Sequence, residues 1–407
     1  MKSAEQLYST LQTRLSTTRH ALDGWLLVAS IALLTTGWVM VTSASTEVAT
    51  SLTGNPYYFS IRHGIFVLLT LFAAVAVMRV PITWWRANGP TLLLVAAILL
   101  AAVLIIGRDI NGSKRWIPLG IVNLQASEVA KLFVVTYISG YLERHLDRVR
   151  TSWWGFLAPL GLTFGLGGLL ILEPDYGATV VILATVMGML LLAGASLWRF
   201  VLLAAAVVAL GAFIAVAEPY RLQRITSFLD PWANQYSSGY QLTQALIAFG
   251  RGGWLGLGLG NSVQKLFYLP EAHTDFVFSV LAEELGLPGA IGVVVLFAIL
   301  VFRIFRIGRN AELGGRLFAA YVCYGFALIF GAQAFINIGV NAGLLPTKGL
   351  TLPLLSYGGS SLIISGAMIG MVLRIDGETR NRRRVAAQTR ASERRRRYSE
   401  GDAHDAG

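Results

Sequence analysis

The sequence predicts an all-α polytopic membrane protein with about ten transmembrane helices, both termini cytoplasmic, and a large outer loop between helices 7 and 8. Three observations predict it. Of the 407 residues 55% are hydrophobic and only 14% charged, where soluble chains carry about a quarter charged. Runs without one charged side chain occur at 87–107, 151–172, 176–198, 200–217, 317–347 and 349–373. A hydrocarbon core of ~30 Å needs ~20 apolar residues as helix, and open strands would leave backbone groups unsatisfied in lipid. Finally, with the N-terminus inside, 23 of the 33 Lys and Arg fall in inner segments and 9 in outer ones, the asymmetry that sets orientation in a bilayer.

Spans are predicted at 24–43, 62–78, 89–107, 125–142, 154–172, 177–194, 200–217, 284–302, 317–336 and 356–373. The first follows Arg14 and Arg19 and reads as a retained signal-anchor helix, too long for a cleaved signal's apolar region. It separates a cytoplasmic tail, 1–22, from a transmembrane domain, 23–374. Residues 375–407, with Arg382-Arg383-Arg384 and Arg394 to Arg397, read as a basic, disordered cytoplasmic tail touching anionic lipid. The net charge of +11 suggests nucleic acid, but its distribution follows the membrane, so no nucleic-acid partner is expected. A single cysteine, Cys323, rules out a disulfide within the chain. No internal repeat marks an inverted-repeat transporter.

Three outer loops carry the unusual residues. The first, 108–124, contains Gly112-Ser113-Lys114-Arg115-Trp116. The second, 218–274, holds Arg221, Arg224, Arg251 and Lys265 on the wrong side for the charge rule, among glycines at 250–260 and aromatics suited to an interface. Residues 240–249 read as a helix lying on the outer leaflet. The third, 337–355, is rich in Gly and Pro, with Lys348 as its one charge.

Ionisable groups within or beside a span cost several kcal/mol unless paired or hydrated, which makes each a functional candidate. Glu128 and Lys131 share a helical face, either as an ion pair orienting the helix or as a pair lining a polar cavity. In Glu173-Pro174-Asp175-Tyr176-Gly177 the carboxylates cap the next helix or face such a cavity. Lys348 snorkels or aims at an anionic ligand. Asp275, in Glu271-Ala272-His273-Thr274-Asp275-Phe276, is an N-cap or a desolvated carboxylate facing a cavity. His273 reads as an ordinary loop residue.

Together with Ser127-Glu128-Val129-Ala130-Lys131, the glycine-rich 239–260, Glu283-Glu284-Leu285-Gly286 and Pro353-Leu354-Leu355-Ser356-Tyr357-Gly358-Gly359-Ser360-Ser361, these motifs resemble the SEDS proteins (shape, elongation, division and sporulation). The resemblance covers about residues 20 to 380. Residues 271–276 and the ending Leu373-Arg374-Ile375-Asp376-Gly377-Glu378-Thr379-Arg380 look more like the division branch than the elongation branch. The resemblance implies a peptidoglycan glycosyltransferase of the bacterial inner membrane, at the division septum. Its substrate would be lipid II, a disaccharide-pentapeptide on undecaprenyl pyrophosphate. A class B penicillin-binding transpeptidase and other division proteins would be its partners. It also implies Asp275 as the catalytic residue and Arg115, Glu128, Lys131, Asp175 and Lys348 as cavity residues.

The chemistry suits these residue types. A sugar hydroxyl attacking an anomeric carbon needs a base, which a positioned carboxylate supplies. A glycosidase needs a second carboxyl as acid. Pyrophosphate leaves as a stable anion and needs positive charge instead, from outer cations such as Arg115, Arg251, Lys265 and Lys348, or from a divalent cation. The competing readings are a lipid II transporter, which needs access from both leaflets, and a non-catalytic division scaffold.

Overall fold

The computed structural model describes residues 22–110, 113–118, 120, 123–217, 228–346 and 349–404. Among the described residues, ten long helices occupy the ten predicted places. They are α1 (Gly24–Thr53), α2 (Tyr58–Arg79), α3 (Ile82–Ile106), α4 (Ala126–Thr151), α5 (Trp153–Leu172), α6 (Tyr176–Leu192), α7 (Leu197–Ala217), α9 (Val277–Leu313), α10 (Leu317–Asn341) and α11 (Gly359–His404). The eleventh, α8 (Tyr240–Gly252), lies in the long outer loop. It buries Leu242, Ala245 and Ala248 against α9, so the helix expected there is amphipathic and docked.

Seven of these helices are long and apolar enough to cross a membrane, and α6 and the start of α7 are shorter apolar helices. α4 falls outside that group because Glu128, Lys131 and the charges after Gly140 dilute its apolar character. Large apolar side chains such as Ile65, Phe72, Leu94, Ile105 and Phe302 point outward, as a lipid-facing surface demands. α10 is among the most enclosed helices, packed between α4, α6 and α9. In lipid, helices associate through close packing and polar ties rather than through water exclusion. Gly366 and Gly370 of α11 show the first device: a Cβ there would stand 2.5 and 2.3 Å from the carbonyl oxygens of Thr70 and Ala74 on α2.

The polar ties gather at the two ends of the bundle. At the inner end, Asp23 caps α1 by accepting from the Leu26 N–H at 3.0 Å. The same carboxylate pairs with Arg303 of α9 and Arg380 of α11. Glu378 of α11 pairs with Arg316 at the start of α10 and with Arg374, and it accepts from Ile82 N–H of α3 at 3.3 Å. The motif at 373–380 therefore fastens four helices at the end the charge count assigns to the cytoplasm. Past residue 375, α11 runs on to His404. Ala, Arg, Gln and Glu are good helix formers, and the helix is already nucleated by the span before it.

At the other end, the first outer loop forms a small antiparallel sheet of β1 (Arg108–Ile110), β2 (Ser113–Pro118) and β3 (Asn123–Gln125) in the order β1-β2-β3. Ile110 pairs with Ser113, and Trp116 with Gln125. The glycines of the second loop serve a close backbone approach. α9 kinks at Gly286, where φ is +64, and a Cβ on Gly286 would lie 2.4 Å from Gly256 N. The loop backbone then bonds to the kinked helix, Leu257 N–H to Glu283 O at 3.0 Å and Gly258 N–H to Glu284 O at 2.9 Å.

Candidate functional site

The segment before α9 is a tight turn built on Glu271, whose φ is +56. Its carbonyl accepts from Thr274 N–H at 3.1 Å and Phe276 N–H at 3.2 Å, and its carboxylate accepts from Thr274 Oγ1 at 2.7 Å. Aromatic packing holds the turn from the side. The ring of His273 lies 4.8 Å from Phe59 and 5.5 Å from Tyr357, and the His273 carbonyl accepts from Tyr357 N–H at 3.0 Å. Burial pushes the His273 imidazole below its ordinary value, against the pull of Glu271. It is a neutral anchor of the loop, which corrects its reading as an ordinary loop residue.

Asp275 does not cap α9. The cap position is Phe276, with no side-chain cap bond. The Asp275 carboxyl is half-buried and faces the backbone of Gly349, where a Cβ would stand 3.0 Å from Oδ2. Burial, then Glu271 and Asp175, push its pKa up to about 7, while Arg115 opposes them. A carboxyl that titrates near neutrality is suited to accept a proton. The main-chain carbonyl of Asp275 is held separately, by the side-chain amides of Asn337 at 2.9 Å and Asn341 at 3.0 Å.

Arg115 reaches this group from β2. Its guanidinium donates to the main-chain carbonyls of Glu173, at 3.4 Å, and Pro174. Asp175 is the N-cap of α6, accepting from Ala178 N–H at 3.2 Å. Its other oxygen accepts from Ser127 Oγ at 2.8 Å and Gln125 Nε2 at 3.2 Å. One carboxylate thereby joins the sheet, α4 and α6 beside Asp275. Glu173 behaves differently: it is fully buried, and neither carboxyl oxygen has a partner. Burial and Asp175 push it up to about 8 against Arg115, so it holds a proton at neutral pH.

Below Ser127, Lys131 Nζ meets Glu128 Oε1 at 2.8 Å, with the lysine side chain 0% exposed. The pair predicted from spacing forms, and it is closed on itself inside the bundle. Arg251 and Lys265, expected among the pyrophosphate cations, do not join Asp275. Arg251 pairs with Glu283 at 3.2 Å and Lys265 with Glu284 at 2.9 Å, two turns along α9. Both glutamates are 0% exposed, and a carboxylate so placed captures the available cation. Ser262 Oγ and the Val263 and Gln264 N–H groups complete the shell of Glu283; Ser43 Oγ and Ser262 N–H serve Glu284. Lys265 also lines a cavity of about 750 Å³ between α1 and the 259–266 loop. Lys348, Arg221 and Arg224 lie outside the described residues; Gly349, next to Lys348, is the residue that abuts Asp275. Among the described residues no three His, Cys, Asp or Glu side chains converge as a candidate metal cage.

Sequence reasoning missed Asn337 and Asn341 as parts of this site, and named Glu173 without separating it from Asp175. The two asparagines were findable: polar side chains four apart in a charge-free run share one helical face.

Fold and site together define a multi-pass membrane protein whose outer end builds a polar site around one uncapped aspartate. Residues 24–381 match the FtsW/RodA/SpoVE family of cell cycle proteins, and the chain belongs to that family. It is 66% identical, over 92% of its length and 95% of the relative's, to the probable peptidoglycan glycosyltransferase FtsW of Halomonas elongata. It is 55% identical, over 90% and 97%, to the protein so named in Nitrosococcus halophilus. These relatives bear out the division branch. Among solved structures, a chain described under structural coordination of polymerization and crosslinking by a peptidoglycan synthase complex matches at 32% identity and a TM-score of 0.73, over 88% of this chain and 98% of that one. The rod shape determining protein RodA of Thermus thermophilus matches at 30% identity and a TM-score of 0.64, over 88% and 97%.

Proposed function

We propose that this chain is a peptidoglycan glycosyltransferase that polymerises lipid II into glycan strands, with Asp275 as general base. The observation that carries the reading is the Asp275 carboxyl itself: uncapped, raised toward neutrality and within the electrostatic reach of Arg115. The names of the relatives supply the reaction class.

In the proposed step a sugar hydroxyl of one lipid II attacks the anomeric carbon of another. Its proton passes to Asp275 as the new carbon–oxygen bond forms. The bond to pyrophosphate breaks, and undecaprenyl pyrophosphate leaves with the electron pair. One displacement inverts the anomeric centre. Negative charge grows on the leaving oxygen, where positive charge lowers the barrier most. Arg115 and Lys348 are the cations assigned to it, since Arg251 and Lys265 are engaged by Glu283 and Glu284. The inner membrane at the division septum is the proposed location. The proposed partner is a class B penicillin-binding transpeptidase, in line with the synthase complex whose chain this one resembles.

Purified protein given lipid II alone, with products resolved by strand length, tests the reading. Wild type should make polymer, and Asp275→Ala should make none while remaining folded. Polymer from Asp275→Ala at the wild-type rate would overturn the assignment.

A further inference from the structure

A helix that began one residue earlier would close its first turn with a bond from Ser279 N–H to Asp275 C=O, the i to i−4 pattern. That bond is absent: Ser279 N–H is shared between Phe276 O, at 3.0 Å, and the side chain of Asn341. Asn341 Oδ1 accepts from Ser279 N–H at 3.1 Å and Ser279 Oγ at 2.7 Å. Asn341 Nδ2 donates to Asp275 O at 3.0 Å and to Asn337 O at 2.9 Å. One amide is thus spliced between the donor and the acceptor of the missing helical bond.

Asn337, one turn earlier on α10, adds a second clasp. Its Nδ2 donates to Asp275 O at 2.9 Å and to Leu350 O at 2.6 Å. A single amide therefore fastens the segment before α9 to the segment whose Gly349 abuts the Asp275 carboxylate. Both asparagines are buried, at 2% and 0% exposure. With two donors each, they fill both lone pairs of the Asp275 carbonyl. A buried polar group of this kind is costly unless fully bonded, and this arrangement bonds it while leaving the carboxylate of the same residue free.

We infer that Asn337 and Asn341 are positioning residues for Asp275: they hold its main chain outside the first turn of α9, so that its carboxylate projects toward the substrate instead of folding back to cap the helix. The inference rests on Asp275 as the base and deepens that reading. Neither asparagine touches substrate in this account. Each acts through the backbone of Asp275, and the pair makes α10 a fixed rail for the reacting group.

The test uses the full-length chain in nanodiscs with lipid II, comparing Asn337→Asp, Asn341→Asp, Asn337→Gln, Asn341→Gln and Asp275→Ala. The Asp variants keep size and the acceptor atom but lose the donor. Gln keeps the amide. Misplacement of a reacting group by about 1 Å costs on the order of 100-fold, so the Asp variants should lose about 10- to 100-fold in kcat. Their KM should stay within about twofold, with the Gln variants partly rescued; melting should fall as well, because the Asp275 carbonyl loses a donor, so kcat is read per folded molecule. The midpoint of the acidic limb of the pH–rate profile should also move, because the environment of Asp275 changes. A merely structural role would lower melting and leave kcat per folded molecule and that midpoint unchanged, which overturns the inference. A second readout is independent of turnover: labelling of Asp275 by a water-soluble carbodiimide and an amine, read by mass spectrometry. If Asp275→Ala proves fully active, the assignment of the base fails, and this labelling decides the positioning inference alone. A severalfold change in the asparagine variants supports it, and an unchanged rate overturns it.

Discussion

Arg115 donates to the main-chain carbonyl of Glu173, at 3.4 Å, and leaves the carboxyl of the same residue without a partner. The cation secures the turn, and the buried acid remains neutral beside it. The folded state therefore keeps a proton on Glu173 that the unfolded chain gives up.

This proton has a consequence for stability. Glu173 is raised from an ordinary 4.5 to about 8, so over that window the folded state binds more protons than the unfolded one. Stability should be highest below the lower value and fall as pH rises through the upper one. Glu173→Gln keeps the neutral shape and removes the titration. Melting in detergent at pH 5 and pH 8 should drop less between the two conditions for this variant than for wild type, with the remaining slope due to Asp275. Equal drops would place the proton elsewhere.

The proposed base predicts a pH–rate profile. Asp275 is active when ionised, and its pKa is raised to about 7. The rate at saturating lipid II should rise with pH through that value. Asp275→Asn should be inactive at every pH while melting near the wild-type temperature, because the side chain makes no cap bond to lose. An acidic limb centred near 4 would mean that the carboxylate is hydrated in the working enzyme.

Arg251 and Lys265 should separate in stability. Lys265→Ala leaves Glu284 buried without its cation, a loss of roughly 3–5 kcal/mol. Arg251 is 45% exposed, and Glu283 keeps three further donors, so Arg251→Ala should cost less than about 1 kcal/mol. Chemical denaturation measures both. Turnover per folded molecule should be unaltered in either, and a loss of kcat with intact folding would return the residue to the pyrophosphate site.

For Glu128 and Lys131 the expected signature is non-additivity. Each single Ala variant strands a buried charge at roughly 3–5 kcal/mol, whereas removing both strands none. The double variant should melt above either single one. Strictly additive losses would show that the two do not interact.

The spans were legible because lipid imposes one rule over every ~20 residues, and charge-free runs such as 200–217 state it directly. Asp275, Arg115 and Asp175 were legible as a group by resemblance; that Asp175 caps and Asp275 does not is a matter of tertiary bonding. The strands β1, β2 and β3, three to six residues long, offered no period-two run long enough to read in the sequence. The partners of Arg251 and Lys265 were hidden for a different reason. Glu283 and Glu284 are adjacent in sequence, yet each captures a cation 32 and 19 residues away. Only the kink at Gly286, which lets the glycine-rich loop lie against α9, brings them together.

The inner-end ties of Asp23 and Glu378 bear on how the molecule moves. A carrier working by alternating access must part its helices at each face in turn. Here α1, α9 and α11 meet at the one buried carboxylate of Asp23, and Glu378 ties α10 and α3 to the same helix. Opening that face would strand Asp23, 2% exposed, without either arginine. A stapled inner end weighs against alternating access and suits the proposed polymerase, which needs access from the outer face alone.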